Sequence, residues 1–144
     1  TQSLAIIDYL DAKYADPPMV SSDPAERANT LAQALVIAAD IHPVNNLRIL
    51  KYLKNELGQD QGAIDTWYRH WIEEGFVALE AMAPESGLFG GEQPNLADVC
   101  LVPQMYNARR FALDLSAFPK LVRIDASCNL LEAFQKATPE AVKE

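Results

Sequence analysis

Asn95-Leu96-Ala97-Asp98-Val99-Cys100-Leu101-Val102-Pro103-Gln104 decides the fold class. Asn95 can cap the first amides of a helix, and Asp98 can reach back to the Asn95 amide, a reciprocal arrangement that marks a helix start. Val99 to Pro103 are apolar on every side, so the helix from Leu96 to Phe111 is predicted to run through the centre of a domain. No alternating strand run of useful length appears, and no internal repeat or low-complexity segment stands out. The fold class is all-α.

Working outward, Asp23-Pro24-Ala25-Glu26 gives a second helix start, with Asp as N-cap, Pro at the first helical position and Glu in the first turn. Ala28, Leu31, Ala32, Leu35, Val36 and Ala39 then recur at helical spacing, and the small alanines would let another helix approach closely, as in a bundle or a dimer seam. Pro43 lacks the amide hydrogen and its ring clashes with the preceding turn. A kink or restart is therefore predicted around Asp40 to Pro43, before the helix continues to Leu57 and Gly58. A second long helix is predicted from Ala63 to Met82, carrying Ile64, Tyr68, Trp71, Ile72, Leu79 and Met82 at helical spacing. Shorter helices are predicted for 119–126 and 130–136. At the other end, Leu4, Ile7, Leu10 and Tyr14 form a stripe that needs company. With the Asp16-Pro17-Pro18 break behind it, this segment reads as the last helix of a preceding domain and its linker.

The chain has 144 residues, 49% of them hydrophobic and 22% charged, enough for one domain to bury a core without disulfide or metal staples. A net charge of −8 argues against a binder of phosphate backbones. The apolar stretches fall short of the roughly 20 residues that cross a bilayer, and no charged-then-apolar leader is seen, so the expectation is a soluble, cytoplasmic protein. Cys100 and Cys128 have no CxxC spacing, and His42 and His70 have no HxH or HxxxH spacing, so neither a zinc site nor a redox pair is suggested. His70 is read as a helix-surface residue.

Three places can carry chemistry. In His42-Pro43-Val44-Asn45-Asn46-Leu47-Arg48, a spacing of three puts His42, Asn45 and Arg48 on one ridge, with Asn46 one turn beyond His42. The plainer reading has both amides satisfying backbone groups loosened by Pro43 and Arg48 solvated. Arg109 and Arg110, at a helix C-terminus, can offset the helix dipole or grip a carboxylate bidentately, and one of the pair can do each. Thr1-Gln2-Ser3 is a ligand-contacting helix N-terminus or merely a cap. The Gly87 to Gly91 segment lacks the lysine and the strand-helix context of a phosphate loop.

Taken together, Gln2-Ser3, His42 to Arg48 and Asn95 to Gln104, the last continued by Asn107-Ala-Arg-Arg110-Phe111, resemble the zeta class of glutathione transferases over essentially the whole chain. Within that superfamily, the last motif resembles maleylacetoacetate and maleylpyruvate isomerases. The resemblance implies that 1–16 is the last helix of a thioredoxin-like domain, 17–22 a linker and 23–144 the C-terminal helical domain. It implies glutathione as a cofactor whose thiolate adds to a cis double bond conjugated to carbonyls. Rotation and thiol elimination follow, and glutathione is regenerated. It also implies a dicarboxylate substrate from aromatic or tyrosine breakdown, and a homodimer with the helix from Pro24 as its seam.

Residue by residue, Gln2 and Ser3 match the pair that holds the γ-glutamyl end of glutathione, and His42 and Asn46 match glutathione contacts of the helical domain. Arg48 occupies a nearby position that can serve either glutathione or substrate. Arg110 matches the arginine proposed to bind a substrate carboxylate, whereas Arg109 occupies a position that can be acidic in relatives. The thiol-activating motif of the family is expected upstream of Thr1. No catalytic residue is therefore expected in this chain, and the chain from Thr1 by itself is expected to bind glutathione weakly and to lack useful isomerase activity. The alternatives are a non-catalytic interaction module and a general glutathione-conjugating transferase. Both maleylacetoacetate and maleylpyruvate would satisfy the same arginines.

Overall fold

The computed structural model describes residues 2–14 and 16–142; Thr1, Ala15 and the last two residues lie outside the described residues. The elements are α1 (Ser3–Lys13), α2 (Pro24–Leu35), a π-helical turn (Val36–Ile41), α3 (His42–Val44), α4 (Leu47–Asn55), α5 (Gln61–Met82), α6 (Leu96–Arg110), α7 (Pro119–Cys128) and α8 (Glu132–Lys136). The sole β pairing among the described residues is an isolated bridge between Leu88 and Gly91, and the all-α expectation holds. No helix among them is long and apolar enough to cross a membrane.

The reciprocal cap at the start of α6 is formed as expected. Asn95 Oδ1 accepts the amides of Ala97 at 2.8 Å and Asp98 at 3.3 Å, while the Asp98 carboxylate accepts the Asn95 amide at 2.9 Å. Asp98 also takes the Phe89 and Gly90 amides at 2.9 and 3.0 Å, so one buried side chain closes both the helix and the loop before it. Its burial raises the carboxyl pKa, and the three backbone donors counter that rise. Asn95 Nδ2 donates to Thr30 Oγ1 at 3.2 Å, docking this corner on α2. One sequence expectation fails here. Although α6 is apolar all round, only the face carrying Leu101, Gln104, Met105 and Ala108 is buried, and Pro103 lies on the exposed side.

The core is built where α5, α6 and α7 meet the π-turn. Ile72, Phe76 and Leu79 of α5 pack with Leu101 and Met105 of α6, Leu121 and Ile124 of α7, and Ile37 and Ile41 of the turn. Each such side chain contributes about 1.5–3 kcal/mol by leaving water. Phe118, the N-cap residue of α7, offers no side-chain cap. The cap comes instead from α5: Glu80 accepts the amides of Lys120 at 2.9 Å and Leu121 at 3.1 Å, placing an anion on the positive end of α7.

The disruption expected around Asp40 to Pro43 is split in two, one part before the proline and one after it. Helix α2 widens into the π-turn, where the His42 amide reaches the Ile37 carbonyl, and the chain breaks at Asn45 and Asn46 before α4 restarts. The wider turn accommodates the proline ring, which would otherwise meet a carbonyl of the preceding turn. It also changes which residues face inward. Ile37, Ile41 and Asn45 are buried at a spacing of four, while Ala28, Ala32 and Ala39 of the expected seam face outward and are exposed.

Helix α1 forms where its periodicity places it, but its stripe is thinly covered. Leu4 and Ile7 are half-buried, and Leu10 and Tyr14 remain 45% and 64% exposed. The Asp11 carboxylate ties it to the segment that follows, accepting the amides of Met19 at 2.6 Å and Val20 at 3.2 Å; the Met19 carbonyl in turn accepts the Leu96 amide.

Candidate functional site

The break after the π-turn is held from behind by α5. In an unbroken helix the Val44 carbonyl would accept the amide of Arg48, but that amide is donated to Asn46 Oδ1 at 3.1 Å, the N-cap of α4. The freed carbonyl is taken by the Trp67 indole Nε1 at 3.0 Å. One residue on, buried Asn45 donates from Nδ2 to the Tyr68 carbonyl at 3.0 Å, and its Oδ1 has no partner among the described residues. Ile41 fills the space over Gly75, where a Cβ would run into it.

The outer face of the same segment carries the candidate ligands. His42 and Arg48 are exposed and Asn46 is half-buried. Because Asn46 Oδ1 serves as the cap, its Nδ2 is left to donate outward. The predicted ridge of His42, Asn45 and Arg48 does not form. The break turns Asn45 into the protein, while His42 and Arg48 stay in solvent.

From Asn45 a chain of contacts leads to the end of α6. Tyr68, whose carbonyl Asn45 holds, stacks its ring on Phe111 with centroids 3.7 Å apart and an interplanar angle of 11°. The Arg110 guanidinium sits 5.7 Å from the centroid of the same Phe111 ring. Burial raises the pKa of the Tyr68 phenol, with Arg110 acting in the opposite direction. The break and the arginine at the α6 terminus are thus connected through two aromatic rings.

The two arginines have divided their work. Arg109 Nη2 is paired with Asp125 Oδ2 at 2.6 Å, and Asp125 is nearly fully buried with its other oxygen accepting from Asn129. Arg110 is exposed and makes no ion pair among the described residues. Gln2 is the N-cap residue of α1 without a side-chain cap bond, and Ser3 opens the helix; both are exposed, and Thr1 lies outside the described residues. Among the described residues, no side-chain hydrogen bond of Gln2 or Ser3 joins them to the break or to Arg110.

The sequence did not point to a cleft of about 500 Å³ on the outer side of α6, walled by Val102, Pro103, Tyr106, Arg109, Phe134 and Thr138. Its signal was the apolar outer face of α6, which the pattern assigned to the core. Neither thiol is set up as a nucleophile: burial pushes Cys100 up to about 11 and Cys128 up to about 12. No group of three or more potential metal ligands occurs among the described residues.

No family model matches the chain. The chain is 51% identical over 141 residues to a probable maleylacetoacetate isomerase of Vibrio cholerae, covering 96% of this chain and 66% of that protein. It is 43% identical over 144 residues to a maleylpyruvate isomerase of a Ralstonia species, covering 97% and 68%. Its structure matches the holo form of maleylpyruvate isomerase, described as a bacterial zeta-class glutathione transferase, with a TM-score of 0.96 and 42% identity over all of this chain and 70% of that one. The chain belongs to the zeta class of glutathione transferases. Another match, maleylacetoacetate isomerase of Anaeromyxobacter dehalogenans with dicarboxyethyl glutathione and citrate in its active site, has a TM-score of 0.93 and 35% identity, covering 100% of this chain and 65% of that one. The chain spans about two thirds of the length of these relatives.

Proposed function

We propose that this chain is the helical portion of a glutathione-dependent cis-trans isomerase acting on maleylacetoacetate or maleylpyruvate. Residues 1–16 then belong to the end of a thioredoxin-like domain, 17–22 to a linker and 23–144 to the helical domain. The observation that carries the reading is the unequal fate of the two arginines. Asp125 commits Arg109 to the fold, while Arg110 keeps its charge free at a helix end, where it suits a substrate carboxylate. In a chain of net charge −8, such a local cation is what attracts a dianion.

The residues present suit glutathione. Among the described residues, Asn46 Nδ2 has no partner and can donate to a peptide carbonyl, His42 and Arg48 offer exposed polar groups on the same segment, and Gln2 and Ser3 stand exposed at a helix start with no side-chain cap bond. When bound, glutathione supplies the thiol that adds to the cis double bond and leaves after rotation. Arg110 holds one carboxylate of the substrate, with Arg48 as the candidate for the other, so that the reacting bond is oriented by its ends. The bound dicarboxyethyl glutathione and citrate of the Anaeromyxobacter relative fit this division between a tripeptide and a polyanion. The outward alanine face of α2 supports a homodimer, and the cytoplasm, where glutathione is abundant, is the proposed location.

The test is glutathione-dependent isomerisation of maleylpyruvate and maleylacetoacetate by the chain together with whatever its reading frame encodes ahead of Thr1. Turnover that collapses in Arg110→Ala supports the reading. Silence on both substrates overturns it.

A further inference from the structure

We infer that Trp67 and Asn45 are positioning residues which hold the wall presenting His42 and Asn46 to glutathione. The inference rests on the isomerase reading for the identity of the ligand and on the structure for the bracket. Neither residue is offered as a ligand contact. Asn45 is buried, and the indole nitrogen of Trp67 is turned to a backbone carbonyl.

The physical problem is the break itself. Ending a helix at Val44 and restarting it at Leu47 leaves carbonyls without their usual amides and leaves the two intervening residues free to adopt several conformations. A ligand wall built on such a segment would lose affinity to the ordering it demands on binding. Three contacts with α5 remove that freedom. Trp67 Nε1 takes the orphaned Val44 carbonyl at 3.0 Å, Asn45 Nδ2 takes the Tyr68 carbonyl at 3.0 Å, and Ile41 seats over Gly75. All three act on the inner side of 41–45, and the candidate glutathione contacts are on the outer side of 42–48. The two hydrogen-bonding partners on α5, the Trp67 indole as donor and the Tyr68 carbonyl as acceptor, are adjacent residues of one long helix, so the wall is referenced to the helix that also sends Ile72, Phe76 and Leu79 into the core. Trp67 is itself braced edge-on by Trp71 at 5.5 Å. Asn45 keeps a polar group in the interior with its oxygen unpartnered among the described residues, a cost that a purely structural position would avoid by carrying an apolar residue.

The experiment is calorimetric titration of glutathione into the chain together with whatever its reading frame encodes ahead of Thr1, for the wild type, Trp67→Phe, Asn45→Ala and Glu80→Ala. Trp67→Phe keeps the aromatic volume and deletes only the indole donor, so it tests the bracket even if Asn45→Ala fails to fold. Glu80→Ala removes the cap of α7 on another side of the molecule and serves as a variant that loses stability without touching the bracket. The expected result is a Kd for glutathione raised about five- to tenfold in Trp67→Phe and Asn45→Ala, the worth of about one hydrogen bond, and unchanged in Glu80→Ala. Wild-type affinity in Trp67→Phe overturns the inference, as does an equal weakening in Glu80→Ala, which would mark a general stability effect. Because the readout is binding, glutathione affinity without isomerisation would sink the isomerase reading and still decide the bracket. Absence of glutathione binding by the wild type would sink both.

Discussion

Arg109 and Asp125 form an ion pair of unequal partners: at 2.6 Å, a guanidinium 48% exposed to solvent neutralises a carboxylate only 3% exposed. Arg109→Ala would leave Asp125 with Asn129 as its remaining side-chain partner, and the expected loss is about 1–2 kcal/mol, discounted for the exposure of the arginine. Arg110→Ala touches no such partner and should change stability by less than about 0.5 kcal/mol. Activity should rank them the other way. With the diacid substrate, Arg110→Ala is expected to lose about 100-fold in kcat/KM while sparing conjugation of an apolar electrophile. Equal losses with both substrates would count against the assignment of Arg110. Urea melts and the two assays decide.

Gly75→Ala places a methyl group inside the Ile41 side chain, which is 1% exposed and has little room to yield. The expected cost is about 1–3 kcal/mol, the range for overpacking a core. Ile41→Val, itself mildly destabilising, should recover part of that loss in the double variant. Additive losses in a double-mutant cycle would show that the two residues do not share this space.

Glu80→Ala removes the acceptor of two amides at the start of α7, and a cost of about 0.5–2 kcal/mol is expected from the loss of a cap. Glu80→Gln, which keeps one oxygen acceptor, should lose less. A thermal melt in which both variants match the wild type would remove Glu80 from this role.

The two cysteines predict both a reactivity and a pH dependence. At pH 8, Cys100, pushed up to about 11, should alkylate on the order of 100-fold more slowly than an ordinary thiol. Cys128, at about 12, should react only on unfolding. The sign for stability follows from the same shifts. A thiol whose folded pKa lies above its unfolded value contributes stability fully below the unfolded value, and loses it as the pH climbs toward 11 and 12. Replacing Cys128 with Ala should therefore flatten the alkaline limb of the stability profile. A limb of unchanged slope would contradict the assignment.

Most of the fold was legible because its signals are local. The Asn95 and Asp98 cap, the Asp23-Pro24 start and the periodicity of α5 each depend on residues within a few positions of one another. What escaped was decided at a distance. Nothing near Phe118 announces that Glu80, 38 positions earlier, will cap α7. Nothing around Pro43 says that the helix will widen before the proline and break after it. The ridge of His42, Asn45 and Arg48 assumed a continuous helix of 3.6 residues per turn, and the break at Asn45 and Asn46 invalidated that count. The Arg109 and Arg110 pair lay between these cases. Sequence supplied the division of labour in principle, and the carboxylate of Asp125, on another helix, fixed which arginine took which part.

The π-turn also makes this segment intolerant of a change in length. One residue fewer between Val36 and Ile41 would return the turn to ordinary α-helix and rotate all that follows by about 100°. Ile41 would leave its seat over Gly75, and the Val44 carbonyl would turn away from the Trp67 indole. A deletion here should therefore cost more than any single substitution in the same stretch, and the chain can drift in composition across these six residues far more freely than in number.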